Sequence, residues 1–117
     1  MGLAKTVFVA IDKLFDHDQN KRKSTRFDDV NFIIEKDVKY AEAEACLLDT
    51  YRVENGGEKY PVLFYIHGGG FVAGDKHYRR AHSRWLANQG YFVVNVNYGL
   101  CPDYKFPEPL RHLVYAL

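Results

Sequence analysis

At 117 residues and a net charge of +1, the chain has room for one small domain and carries no overall field that would gather nucleic acid or an anionic membrane. Apolar residues make up 47% and aromatic residues 15%, too hydrophobic a mixture for disorder, so a packed core is expected. No run approaches the roughly 18 apolar residues of a membrane span, and Cys46 and Cys101, with no CxxC spacing and no secretory leader, read as reduced thiols in a cytoplasmic protein.

In chain order, Leu3, Val7, Ile11, Leu14 and Phe15 recur at helical spacing, which favours a helix, although Thr6 to Ile11 also alternates as a strand would. Asp16 to Asp29 turns polar and charged through Asn20, Lys21, Arg22 and Lys23, which predicts a surface connection. Val30 to Tyr40 and Ala43 to Val53 read as an antiparallel strand pair at the sheet margin, the second alternating through Ala45, Leu47 and Asp49. Asn55-Gly56-Gly57 supplies a turn, and Pro61 is tolerable at the start of the next strand. That strand, ending at Ile66, stops abruptly at Gly68, Gly69 and Gly70.

Beyond the glycines the period changes. Asp75 is a good helix N-cap, and Tyr78, Ala81, His82, Trp85, Leu86 and Gln89 form one stripe at helical spacing. Lys76, Arg79, Arg80 and Arg84 gather on the same helix and read as a solvated face. Gly90 sits where a left-handed helix stop belongs. Tyr91 to Tyr98 is a near-continuous apolar strand of the kind covered on both faces, completing a right-handed βαβ crossover. After a loop over 99–105, Phe106-Pro-Glu-Pro-Leu110 opens a helix whose first turn accepts proline.

Three consecutive glycines let the main chain reach positive φ and bring amide N–H groups close to a ligand. In an open α/β sheet, the loop at a strand's carboxyl end is where ligands bind, so this loop is the candidate functional surface. Two chemistries compete. Fixed amides can receive the oxyanion of a tetrahedral intermediate, where one donor is worth about 3 to 4 kcal/mol of barrier. Alternatively, Gly68-x-Gly70-x-x-x-Gly74 superficially resembles a phosphate cradle, the weaker reading because His67 stands where such loops carry a small residue and the next strand ends in Asn95, Asn97 and Tyr98 with no acidic residue for a ribose. His17, His77, His82 and His112 show no zinc-ligand spacing, so no metal and no cofactor is expected. Asp75 is read as a cap rather than an acid, and Tyr65, Tyr78, Trp85 and Tyr98 as core and pocket wall.

His67-Gly-Gly-Gly-Phe71, then Gly74-Asp75, then Asn97-Tyr-Gly-Leu-Cys-Pro-Asp103 and Lys105-Phe-Pro-Glu-Pro-Leu110 resemble the hormone-sensitive-lipase-like branch of the α/β-hydrolase fold, from about Val30 onward. The resemblance implies a serine carboxylesterase or lipase with a Ser-Asp/Glu-His triad acting on a small-molecule ester. Carried over residue by residue, it makes the backbone amides of Gly69 and Gly70 the oxyanion-hole donors, gives His67 and Gly68 the shaping of the loop, and sets Phe71 near the acyl pocket. Two blocks depart from the pattern. Tyr98-Gly-Leu-Cys-Pro-Asp103 replaces the family's Tyr-Arg-Leu-Ala-Pro-Glu, and His112 stands where an Asp commonly follows; loss of the Arg and the Asp together would remove an ion pair as a unit. No G-x-S-x-G elbow occurs, and the only serines are Ser24, in the charged connection, and Ser83, expected on the solvent side of a helix.

The expected fold is therefore α/β: a truncated α/β-hydrolase sheet, an antiparallel strand pair followed by a parallel βαβ unit, with flanking helices. Residues 1–29 are expected to form a cap-like helix and charged connection. Residues 30–117 are expected to form the N-terminal part of a hydrolase domain without its nucleophile elbow, inactive alone. The strand from Val62 to Ile66 would be left as an unprotected hydrophobic edge prone to self-association. A non-catalytic acyl-ligand-binding relative and a formamidase or amide hydrolase remain open alternatives, with a nucleotide-binding unit the least favoured.

Overall fold

The apolar strands of the βαβ unit set the architecture, because a strand buried on both faces needs helices above and below it. The computed structural model describes residues 2–21, 27, 29–54 and 59–117. Its elements are α1 (Gly2–Lys21), β1 (Phe32–Lys39), β2 (Leu47–Val53), β3 (Val62–Ile66), a 3₁₀ turn (Lys76–Arg79), α2 (Arg80–Asn88), β4 (Phe92–Val96) and α3 (Glu108–Ala116). The four strands form one sheet in the order β1-β2-β4-β3. β1 and β2 are antiparallel, β2 pairs antiparallel with β4, and β3 and β4 are parallel in the register Val62↔Phe92 to Ile66↔Val96. The expected α/β sheet, with its antiparallel pair at the margin, is the observed one.

The sheet's alternation sends side chains into two cores. On one face Tyr51 and Val93 pack against Ala87 of α2, joined by Phe32, Ile34, Leu63 and Tyr65. On the other, Leu48, Val94 and Val96 meet Leu113 and Ala116 of α3, with Phe64 and Tyr40 at the rim. β2 begins at Leu47 rather than Ala43, because main-chain bonds from Cys46 to Ala43 and from Leu47 to Ala45 close a turn there.

Two expectations about helices need correction. α1 runs to Lys21, past the predicted break at Asp16, since a polar composition marks exposure without breaking a helix; its stripe of Leu3, Val7, Ile11 and Leu14 faces outward. In α2 the buried residues are Ala81, Ser83 and Ala87, whereas Trp85 and Gln89 of the predicted stripe are exposed. The preceding 3₁₀ turn shifts the helical phase, and small side chains let the helix approach the sheet closely. Ser83, expected toward solvent, is therefore fully buried, its hydroxyl donating back to the Arg79 carbonyl at 2.9 Å. The Asn55-Gly56-Gly57 turn and most of the Lys21–Asp29 connection lie outside the described residues.

Candidate active site

β3 and β4 are parallel neighbours, so both deliver their carboxyl ends to the same edge of the molecule, and the glycine loop leaves β3 beside the residues that leave β4. His67 follows β3 directly and is 2% exposed. Its Nδ1 lies 2.9 Å from the Gly68 carbonyl, which can only accept, so the ring proton sits on Nδ1. The ring stacks on Tyr98, centroids 4.7 Å apart, and the Tyr98 hydroxyl donates to the His67 carbonyl at 2.6 Å.

The backbone then enters conformations that side chains resist. Gly69 has φ of 139° and Gly74 105°, and a Cβ on Gly69 would run into the Ala73 carbonyl, one on Gly74 into the Gly68 carbonyl and the His67 ring. Gly68, by contrast, has open space where a Cβ would stand. Phe71 adopts a positive φ of 62° despite its side chain, with its ring half exposed and edge-on to Tyr98, and its carbonyl accepts from the Cys101 amide at 2.8 Å. The Gly69 carbonyl accepts from Val72 and Ala73, whereas the amides of Gly69 and Gly70 have no acceptor among the described residues.

Asp75 closes the loop as expected of an N-cap, its Oδ1 accepting from the His77 amide at 2.8 Å. The basic cluster that follows is not a solvated face. Lys76 is buried, with Nζ 2.6 Å from Asp37 Oδ1 and 2.7 Å from Asp49 Oδ1, and Arg80 pairs with Asp16 of α1 at 2.7 Å. A register shift in β1 puts Asp37 at a φ of 55°, where its amide also donates to Asp49. Burial opposes the charge on Lys76, but hydrogen bonds to Asp37 and Asp49 outweigh it and hold the ammonium above its ordinary range. The same hydrogen bond holds Asp37 below the usual carboxylate range. Sequence reasoning missed this triad because no spacing joins Asp37, Asp49 and Lys76; the available signal was a charge at Asp49 inside an otherwise core-facing strand.

A cavity of about 220 Å³ lies beside the loop, lined among others by His67, Asp75, Asn97, Tyr98 and Tyr104, while Gly69, Gly70 and Phe71 are outside its lining. His112 is buried and accepts from the Gly99 amide through Nδ1 at 2.9 Å, edge-on to Tyr104. His82 Nδ1 shares a hydrogen bond with the Tyr65 hydroxyl at 2.9 Å; burial, helped by Arg79, keeps its pKa below the ordinary value. Among the described residues no group of His, Cys, Asp or Glu could hold a metal ion, and no helix is long and apolar enough to cross a membrane. Buried Ser83 is committed to main chain, and Ser24 lies outside the described residues.

Residues 48–117 match the BD-FAE family model. Tuliposide A-converting enzyme 2 of Tulipa gesneriana is 40% identical over 58 residues, covering 47% of this chain and 15% of that enzyme. Esterase B from Lactobacillus rhamnosis superposes with a TM-score of 0.72 at 26% identity, covering 92% of this chain and 34% of that one. An esterase of the bacterial hormone-sensitive lipase family shares the fold at a TM-score of 0.66 and 24% identity, over 90% of this chain and 33% of its own. The chain thus spans about a third of the length of these esterases and less of the plant enzyme. With the glycine loop at the shared strand edge and these matches behind it, the chain belongs to the BD-FAE family and has the α/β-hydrolase fold of these esterases.

Proposed function

We propose that this chain supplies the oxyanion loop of a serine hydrolase that cleaves small carboxylic esters, and that the amides of Gly69 and Gly70 are the donors to the developing oxyanion. The observation that carries this reading is where those amides stand: in the loop at the carboxyl end of β3, on backbone of positive φ at Gly69 and Gly70, with no acceptor among the described residues. A donor left free in the ground state and fixed in place is what transition-state stabilisation requires. In this reading His67 and Gly68 shape the loop, Phe71 borders the acyl pocket, residues 30–117 are the leading part of the hydrolase domain, and residues 1–29 are cap-like. No cofactor takes part, and the free thiols of Cys46 and Cys101 suit a cytoplasmic setting. Nucleic acid is not a partner in this reading, since the net charge of +1 offers no attraction to it. Self-association through β3 belongs to the same reading: the strand is at the sheet edge, with Val62 62% and Ile66 51% exposed.

Because neither Ser24 nor Ser83 stands in a G-x-S-x-G elbow and Ser83 is buried, the chain alone is expected to give no burst with a short-chain nitrophenyl ester and no labelling by a serine-reactive phosphonate. Labelling or a burst would overturn this. Binding of the phosphonate without labelling at a site away from the loop would instead favour the acyl-binding alternative. Coding sequence continuing in frame to a G-x-S-x-G would place the nucleophile in the parent protein.

A further inference from the structure

We propose that Asn97 and Tyr98, consecutive residues leaving β4, are positioning residues that pin the two ends of the glycine loop and so aim its amides. A glycine-rich segment loses more conformational freedom on ordering than any other, and this one has little internal bonding beyond the turn closed on the Gly69 carbonyl. Its shape must be imposed from outside.

Successive residues of an extended chain project to opposite sides, and here each side meets one end of the loop. Tyr98 takes the entry: its hydroxyl donates to the His67 carbonyl at 2.6 Å and its ring stacks on the imidazole. Burial keeps the phenol pKa above its ordinary value, so the hydroxyl stays a donor. Asn97 takes the exit: Oδ1 accepts from the Lys76 amide at 2.8 Å while Nδ2 donates to Asp75 Oδ2 at 3.2 Å. That pairing of one acceptor with one donor is what an amide side chain offers; an ionised carboxylate would supply only the acceptor. Asn95 adds a bond to the Lys76 carbonyl at 2.8 Å, and the Cys101 amide holds the Phe71 carbonyl at the loop's apex. His112 of α3, bonded to the Gly99 amide, braces the clamp from behind.

The clamp bears on ester hydrolysis only through the function proposed above, but it can be tested without it. Hydrogen exchange on the full chain reads loop order directly. In Tyr98→Phe, which keeps the ring stack, and in Asn97→Ala, the Val72 and Ala73 amides, whose bonds to the Gly69 carbonyl close the loop's turn, should exchange about tenfold faster, equivalent to one lost buried hydrogen bond, while those of Val93 and Val94 change less than twofold. Unchanged loop exchange would overturn the proposal. So would equal acceleration of the loop and β4, which would make both residues general stabilisers. If Asn97→Ala does not fold, Tyr98→Phe alone decides. An intact clamp around amides that ignore an oxyanion mimic would remove the hydrolase reading and leave this one standing.

Discussion

Lys76 begins the 3₁₀ turn with its ammonium between Asp37 and Asp49, and the effect of removing it follows from which partner is buried. The Asp49 side chain is 5% exposed, that of Asp37 66%. In Lys76→Met, Asp37 can return to water whereas Asp49 is left as a buried charge with, among the described residues, the Asp37 amide as its remaining hydrogen-bond donor. Breaking a buried pair in this way costs about 3 to 5 kcal/mol, read in urea as a lower midpoint at unchanged slope. Asp37→Asn, which leaves Asp49 paired to Lys76, should cost much less; equal losses would contradict this division. His82 gives a pH signature of opposite origin. Its folded pKa lies below the ordinary 6.5, so the unfolded chain binds the proton first. The stability from neutral His82 is complete above pH 6.5 and is lost as pH falls through 6.5 toward the lower folded value. Melting temperature should therefore fall between pH 7.5 and 5.5 less steeply in His82→Gln than in the parent chain, and parallel curves would refute the assignment. Neither residue's role was legible in the sequence. A basic run after an N-cap reads as solvated, and only the register shift that turns Asp37 toward Asp49 makes Lys76 an anchor.

At the scale of elements, most of the chain announced itself. Val62–Ile66 and Phe92–Val96 are apolar runs bounded by glycine, Asp75 and Gly90 punctuate the helix between them, and the antiparallel pair alternates visibly. What stayed hidden is phase. A 3₁₀ turn between Asp75 and α2 rotates the helix enough to bury Ser83 and expose Trp85, and local spacing carries no sign of it. α1 runs past Asp16 to Lys21 for a related reason, since polar residues give no termination signal of their own. β3 is the element with most consequence for behaviour in solution. It is an edge strand with no charge, no proline and no bulge within Val62–Ile66, so nothing in it opposes pairing with another chain. Val62→Lys puts a charge at its most exposed position. Sedimentation velocity at high concentration should show association in the parent chain and a shift toward monomer in the variant. A monomeric parent chain would rule out the edge as an association site.

For the whole molecule, the sheet order matters more than any single contact. Placing β3 beside β4 in parallel brings the glycine loop and its clamp to one edge, with α2 covering one face and α3 the other. The loop was legible because its glycines stand in series after an apolar strand. The clamp was only half legible, because Asn95 and Asn97 stood out as polar in an apolar run but nothing local named their partners. In the function proposed above, the Gly69 and Gly70 amides point at an oxyanion. Titrating isotope-labelled chain with butylphosphonate, while following backbone amide resonances, tests it most directly. Saturable shifts led by Gly69 and Gly70 and lost in Gly69→Ala are expected; shifts confined to the surroundings of Lys76 and Arg80, or none at all, would mean that these amides do not receive an oxyanion.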